Sequence, residues 1–122
     1  MTNIYKLFKF LEDKEGKPIP FKYKLIYRPE TLTPEDLKVG GNLYLGDTPI
    51  TSLPAGLTVG GDLDLSNTKI TSLPDNLKVG GNLFLSYTPI SRKYTEQQIR
   101  KMVPGVKGNI YTWQTSITYS NF

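Results

Sequence analysis

The sequence of 122 residues predicts a repeat solenoid of the α+β class, in which short parallel β-strands stack and a helix caps each end. Three observations lead to this prediction. A 20-residue segment recurs with its apolar positions in register, leucines alternate with other residues inside each copy, and helical patterns lie on both sides of the repeats. Because one copy is too small to bury its own leucines, neighbouring copies are expected to stack and share one core.

The repeats occupy residues 37–90. Residues 41–60 read GNLYLGDTPITSLPAGLTVG, residues 61–80 read GDLDLSNTKITSLPDNLKVG, and residues 81–90 begin a third copy, GNLFLSYTPI. Most positions that carry Leu, Thr, Ile or Pro in one copy carry the same residue 20 places later. This period predicts parallel pairing between each residue and its counterpart in the next copy.

Each copy begins with a pattern that is typical of a half-buried strand. Leu43 and Leu45 flank Tyr44, so the leucines share one face and the tyrosine lies on the other. The Gly-Gly pair before the strand permits a tight bend. The Leu-Pro step after it is expected to be extended, because proline keeps its predecessor out of the helical region.

These residues resemble the short leucine-rich repeats of bacterial and bacteriophage proteins. The frame L-x-L-x-x-T-x-I-x-x-L-P carries the resemblance over residues 40–90, with matches at Leu43, Leu45, Ile50, Leu53 and Pro54. Two positions depart from the family pattern. Gly40 stands in place of a first leucine, and Thr48 stands in place of a ladder asparagine, where a threonine ladder is chemically possible. A four-sided parallel β-helix is the alternative coil shape.

Residues 1–36 are predicted to cap one end of a single domain that spans residues 1–122. One face of a predicted helix carries Ile4, Leu7, Phe8 and Leu11. A hairpin across residues 4–27 is the alternative. The stretch FKYKLIY over residues 21–27 has the composition of a strand, so Leu25 is expected to begin a degenerate first coil.

Residues 91–122 are predicted to form a C-terminal helix, a last coil and a cap. Thr95 and Gln98 have the spacing of a capping box, and the helix that follows has an apolar face formed by Ile99, Met102 and Val103. The segment VKGNIY over residues 106–111 copies VGGNLF of the repeats and predicts the last coil. Residues 113–122 are expected to add an edge strand or to cover the end.

The chain has a net charge of +4 and contains neither histidine nor cysteine. Ser-His-Asp and Cys-His catalysis, zinc sites built on those ligands and disulfide frameworks are therefore excluded, and no cofactor or metal is expected. The net charge is +3 over residues 1–30, −3 over residues 31–85 and +4 over residues 86–122. The basic ends, which are suited to an acidic partner, include Lys22, Lys24, Arg28, Arg92, Lys93, Arg100 and Lys101.

The outward face of the predicted strands is the candidate binding site. It is expected to begin with Lys24, Ile26 and Arg28, and its partner-binding residues are Tyr44, Asp62, Asp64, Phe84, Tyr111 and Trp113. Aromatic side chains are enriched in binding hot spots, so an aromatic band around the acidic pair would suit a protein partner. Two alternatives are open: the C-terminal tail covers Phe84 and Trp113, or the acidic pair is ordinary solvated surface.

The sequence and the resemblance together predict a non-enzymatic protein–protein interaction module. One specific form is a phage-encoded inhibitor that docks on a host defence or nucleic-acid-processing protein. The alternatives are nucleic-acid or nucleoprotein binding through the basic ends, and a structural or virion assembly component. No segment has the apolar core of a signal peptide or the length of a membrane span, so we expect a cytoplasmic protein, within the host bacterium if it is phage-encoded.

Overall fold

The computed structural model describes residues 3–16 and 20–112. The chain divides into two compact units, residues 1–36 and residues 37–122, and the division coincides with the predicted end of the N-terminal cap. The prediction of a single domain stays a prediction.

The first unit contains two helices, α1 (Asn3–Glu15) and α2 (Phe21–Tyr27), and a 3-10 turn over Pro29–Thr31. Helix α1 confirms the predicted N-terminal helix and excludes the hairpin alternative. Leu7, which was expected on the apolar face of this helix, is 53% exposed, so the prediction is wrong at that position.

The strand predicted over residues 21–27 is wrong, because this segment is helix α2. The N–H of Lys24 donates to the carbonyl of Pro20 and closes the first turn, while Leu25 is buried. The alternation FKYK is followed by three apolar residues in a row, and such a short mixture fits either a helix or a strand. Leu25 therefore begins no coil, and among the described residues the first strand starts at Lys38.

Reciprocal hydrogen bonds between Thr33 and Asp36 close a turn at the end of the first unit. The Asp36 carboxylate accepts from the Thr33 N–H at 3.0 Å, and the Thr33 hydroxyl accepts from the Asp36 N–H at 3.2 Å. The first of these bonds stabilises the ionised carboxylate and holds the pKa of Asp36 below its usual value.

Two parallel sheets form the second unit, within an α+β fold. The first sheet contains, in spatial order, β1 (Lys38–Val39), β3 (Thr58–Val59), β5 (Lys78–Val79) and β7 (Gly105–Val106). The second sheet contains β2 (Leu43–Tyr44), β4 (Leu63–Asp64), β6 (Leu83–Phe84) and β8 (Ile110–Tyr111). Each 20-residue copy thus contributes one short strand to each sheet.

Strand pairing follows the sequence period. Leu43 pairs with Leu63, and Leu63 pairs with Leu83, in the register that the repeat predicted. The last pairing joins Leu83 to Ile110, so the copied segment near the C-terminus lies where its sequence predicted. The offset there is 27 residues rather than 20, and the additional chain accommodates two helices, α3 (Pro89–Lys93) and α4 (Glu96–Met102).

The two helices illustrate what local sequence does and does not reveal. Helix α4 has the predicted capping box, in which Thr95 and Gln98 exchange side-chain and backbone hydrogen bonds. Ile99 and Val103 are buried as expected, but Met102 is 37% exposed. Helix α3 was not predicted, since its only local signals are a proline in the first turn and the capping hydroxyl that precedes it.

The core of the second unit is built from the inward residues of both sheets. Leu63 and Leu83 of the second sheet and Val79 of the first are fully buried. Burying one such side chain contributes about 1.5–3 kcal/mol, so the stacked leucines stabilise strands that are only two residues long. The same core includes Leu45, Leu57, Leu65, Ile70, Leu77, Leu85, Ile90 and Ile99.

The hydroxyls of Thr48, Thr68 and Thr88 donate within their own copies and do not form the ladder that was chemically possible. The hydroxyl of Thr48 donates to the carbonyl of Leu45 within its own copy, and the hydroxyls of Thr68 and Thr88 make the same bond to their own leucines at 2.7 and 2.6 Å. Each threonine therefore closes a local turn, with its acceptor three residues earlier in the same copy.

Candidate functional site

The outward positions of the second sheet form a continuous row, which we call the outer row: Tyr44, Asp64, Phe84 and Tyr111. Its members lie side by side because each occupies the same place in its strand. Their sequence neighbours Leu43, Leu63, Leu83 and Ile110 are buried, so the alternation of the strand directs the outer row away from the core.

Two aromatic side chains of the outer row pack on each other. The rings of Phe84 and Tyr111 are stacked, with centroids 4.9 Å apart and planes inclined by 11°. Both residues are half-buried, whereas Tyr44 is 55% exposed. Phe84 therefore packs against Tyr111 of the same chain. Trp113 and the tail that was expected to cover this face lie outside the described residues.

Both tyrosines of the outer row are held by neighbouring amides. The Nδ2 of Asn42 donates to the Tyr44 hydroxyl at 2.9 Å, and the Nδ2 of Asn109 donates to the Tyr111 hydroxyl at 3.2 Å. A ring that is held in this way would lose less conformational entropy on being covered than a freely rotating one.

A second row, the Asx row, runs beside the outer row and consists of Asn42, Asp62, Asn82 and Asn109. The Oδ1 of Asn42 accepts from the N–H of Asp62 at 2.7 Å, and the Oδ1 of Asp62 accepts from the N–H of Asn82 at 2.8 Å. The Oδ1 of Asn82 continues the row to the N–H of Asn109 at 2.8 Å. The side-chain ladder between copies is therefore formed here rather than by the threonines.

The Asx row changes the interpretation of the acidic pair. Asp62 was predicted to contact a partner, but one of its carboxylate oxygens joins two copies, so its first role is structural. Asp64 accepts from the N–H of Ser66 at 2.9 Å within its own copy. The Oδ2 atoms of both aspartates accept no hydrogen bond from the residues that the structure describes.

No cation site is assembled around these carboxylates in the described part of the chain. Asp47, three residues after Tyr44, accepts a hydrogen bond from the side chain of Asn67 in the next copy. Residues 3–16 and 20–112 contain no cluster of three or more side chains that could hold a metal ion. The described residues around Asp62 and Asp64 therefore form no ligand shell for a cation.

The residues of the predicted basic ends are spread over three helices. In the first unit, Lys22 and Lys24 lie on α2, and Arg28 follows it. The Arg28 Nε donates to Glu30 and holds the pKa of that carboxyl below its usual value. The prediction that Lys24, Ile26 and Arg28 begin the outward strand face is wrong, because this segment is helical. In the second unit, α3 carries Arg92 and Lys93, and α4 carries Arg100 and Lys101.

Arg100 has a structural role that its sequence did not reveal. Its guanidinium donates to the carbonyl of Val106 at 3.2 Å and to the carbonyl of Gly108 at 2.8 Å. In the preceding copies the equivalent carbonyls accept from backbone N–H groups of the next copy. Arg100 therefore caps the last edge of the first sheet, and two of its guanidinium nitrogens are engaged in hydrogen bonds within the chain.

A row of lysines on the first sheet was also missed. Lys78 and Lys107 line a depression of about 490 Å³ together with Gly60 and Gly80. Lys38 stands in the same register column as Lys78, two strands away. The recurrence of Leu-Lys-Val-Gly-Gly at the start and the end of the repeats was the available signal.

Comparisons with protein-family models, curated proteins and solved structures gave no match. Within residues 3–16 and 20–112, every helix is too short or too polar to cross a bilayer.

Proposed function

We propose that this chain is a non-enzymatic protein-interaction module whose outer row is the contact surface. The observation that carries the proposal is the exposed ring of Tyr44 and the stacked pair Phe84–Tyr111 on either side of Asp64. Aromatic area around a carboxylate fits a partner surface that combines an apolar patch with a basic side chain. The hydrogen bonds of the Asx row, beside the outer row, hold neighbouring copies in the register that sets the order of these side chains.

The architecture that we propose for the module is a leucine-rich-repeat-like solenoid. The in-register pairing of Leu43, Leu63 and Leu83 supports it, as does the presence of two sheets, rather than four, in the described residues. The resemblance to short bacterial and bacteriophage repeats extends the proposal to a phage-encoded inhibitor. Its target would be a host defence or nucleic-acid-processing protein in the bacterial cytoplasm.

The test is an affinity capture from a bacterial lysate, with nuclease present and at both low and high salt. The bait is compared with the double variant Tyr44→Ala/Phe84→Ala and with Met102→Ala, which truncates an exposed apolar residue on α4. We expect a stoichiometric protein to be captured by the unmodified chain and by Met102→Ala, and to be lost from the double variant. Equal capture by all three baits would refute binding through the outer row.

The lysine row supports a second candidate function, nucleic-acid or nucleoprotein binding. Lys78 and Lys107 border the depression on the first sheet, and Lys38 extends the row. If three phosphates are contacted, the affinity for a duplex oligonucleotide should fall with a slope of about −2 to −3 in log–log salt titrations. A slope near zero, or an unchanged affinity in Lys78→Gln/Lys107→Gln, would exclude this candidate.

A further inference from the structure

Three consecutive backbone N–H groups join each copy of the repeat to the one before it. The N–H of Gly60 donates to Val39 O at 2.7 Å and that of Gly61 donates to Gly41 O at 3.0 Å. The next N–H, from Asp62, donates to the Oδ1 of Asn42 at 2.7 Å. The same three bonds recur from residues 80–82 and from residues 107–109. Each of these triplets, Gly-Gly-Asx at residues 60–62 and 80–82 and Lys-Gly-Asn at residues 107–109, is therefore covered by two carbonyls and one Asx side chain.

The first triplet, Gly40, Gly41 and Asn42, is the exception, and we call it the open edge. No described residue accepts a hydrogen bond from its three N–H groups, and all three residues are exposed. A Cβ placed on Gly40 or Gly41 would meet nothing within 4 Å. The open edge thus has the donors of an internal triplet without the strand that covers one.

Neither a close neighbour nor the backbone conformation requires glycine at the two glycine positions of the open edge. At Gly60 and Gly61 a Cβ would lie 2.4 Å and 2.1 Å from oxygen atoms of the preceding copy, so glycine is required there. Gly40 and Gly41 have neither such a neighbour nor a positive φ. Retaining glycine only increases the freedom of the unfolded chain, unless a strand approaches from outside.

The opposite edge of the first sheet is already occupied. The carbonyls of Val106 and Gly108, which a second copy of the chain would have to offer to the open edge, accept hydrogen bonds from Arg100. Head-to-tail stacking of two copies is therefore opposed by a cap that is part of the fold. The occupant that fits the open edge is a strand from a different protein.

We propose that the open edge docks an extended segment of another protein, added parallel to the first copy of the repeat. The segment supplies the acceptors that cover the internal triplets: a backbone carbonyl, a second carbonyl two residues later, and an Asn or Asp side chain directly after that. This is β-strand addition, in which backbone bonds give affinity and the Asx side chain sets the register. The proposal does not depend on the outer row.

The probe is a fluorescent synthetic peptide with the sequence of residues 57–66, LTVGGDLDLS, which carries this acceptor pattern. Titration into the 15N-labelled chain should shift the amide resonances of Gly40, Gly41 and Asn42 saturably. Anisotropy titration should show at least a tenfold weaker affinity for Gly40→Ala/Gly41→Ala, because each new Cβ would meet an oxygen of the docked strand. A peptide with leucine in place of its first aspartate should also bind at least tenfold more weakly.

Two controls separate this proposal from the outer row and from misfolding. The variant Tyr44→Ala/Phe84→Ala should bind the peptide as the unmodified chain does, and Gly40→Ala/Gly41→Ala should not lower the melting temperature. Absence of saturable shifts at the open edge, or equal affinity of the glycine variant, would overturn the proposal. If light scattering shows that the unmodified chain dimerises while the glycine variant stays monomeric, the occupant is a second copy and the assignment to a different protein is wrong.

Discussion

The matched pair Gly80→Ala and Gly40→Ala tests whether close stacking between copies stabilises the second unit. Both substitutions add one methyl group at the same position of the repeat. In Gly80→Ala the new Cβ would lie 2.2 Å from the carbonyl oxygen of Gly60, which is backbone and cannot rotate away. In Gly40→Ala the new Cβ has no neighbour within 4 Å.

The expected magnitude follows from the bonds that this overlap disturbs. Relieving the contact requires the two backbone segments to separate by about 1 Å. The N–H of Gly80 then loses its 2.8 Å bond to Val59 O, and the N–H of Gly81 loses its 2.9 Å bond to Gly61 O. Two lost hydrogen bonds at about 1 kcal/mol each, with about 1 kcal/mol of steric distortion, lower the free energy of unfolding by roughly 3 kcal/mol.

The assay is urea unfolding of both variants beside the unmodified chain, followed by far-ultraviolet circular dichroism. Gly80→Ala should lower the free energy of unfolding by roughly 3 kcal/mol, whereas Gly40→Ala should leave it unchanged or raise it by about 0.4–1 kcal/mol by restricting the unfolded chain. If the two variants lose the same stability, or if Gly80→Ala loses none, close approach between copies is not what requires glycine there.

Three further predictions concern single side chains. Arg100→Ala should lower the free energy of unfolding by about 1–2 kcal/mol, because two edge carbonyls lose their hydrogen-bond donor. The uncapped edge should also make the mass measured by light scattering rise with concentration. A monomer at all concentrations would show that the cap does not prevent association. Asp62→Asn should change the free energy of unfolding by less than about 0.5 kcal/mol, since the amide oxygen replaces the carboxylate acceptor. Asp62→Leu removes the acceptor and should lower the free energy of unfolding, measured in urea, by about 1–3 kcal/mol. Equal losses in both variants would show that the Asx row does not stabilise the fold. The pKa of Asp36 should lie below its usual value in an NMR titration. The stability that the ionised Asp36 carboxylate contributes to the fold is therefore present above its unfolded pKa of about 3.9 and is lost as pH falls through the lower folded pKa. Thr33→Pro removes the donor N–H and should return the pKa of Asp36 toward about 3.9, and an unchanged pKa would show that this hydrogen bond does not cause the shift.

The period of the sequence was sufficient for the register of the sheets and for the leucines of the core. A leucine that recurs every 20 residues can be buried in every copy only if equivalent residues align, so Leu43, Leu63 and Leu83 had to stack. The capping box of α4 was equally readable, because both of its bonds lie within four consecutive residues.

The same period could not show which polar residue joins the copies. Thr68 and Asp62 both recur at equivalent positions, and nothing in their spacing tells whether a side chain bonds within its own copy or across to the next. The seven residues of α2 were ambiguous for a related reason, since a segment of that length fits either period and its packing decides. These outcomes depend on distances that exist only in the folded chain.

The sequence alone therefore determined what repetition imposes: the parallel pairing, the apolar rows and the outward place of Tyr44 and Phe84. Only the tertiary structure decided how the ends differ, because the ends are where repetition stops. Arg100 reaches the carbonyls of the last copy from a helix that lies outside the repeat, while the amides of Gly40 and Gly41 in the first copy have no acceptor among the described residues. Whether an edge is capped or open depends on contacts between segments distant in sequence, which no local pattern encodes.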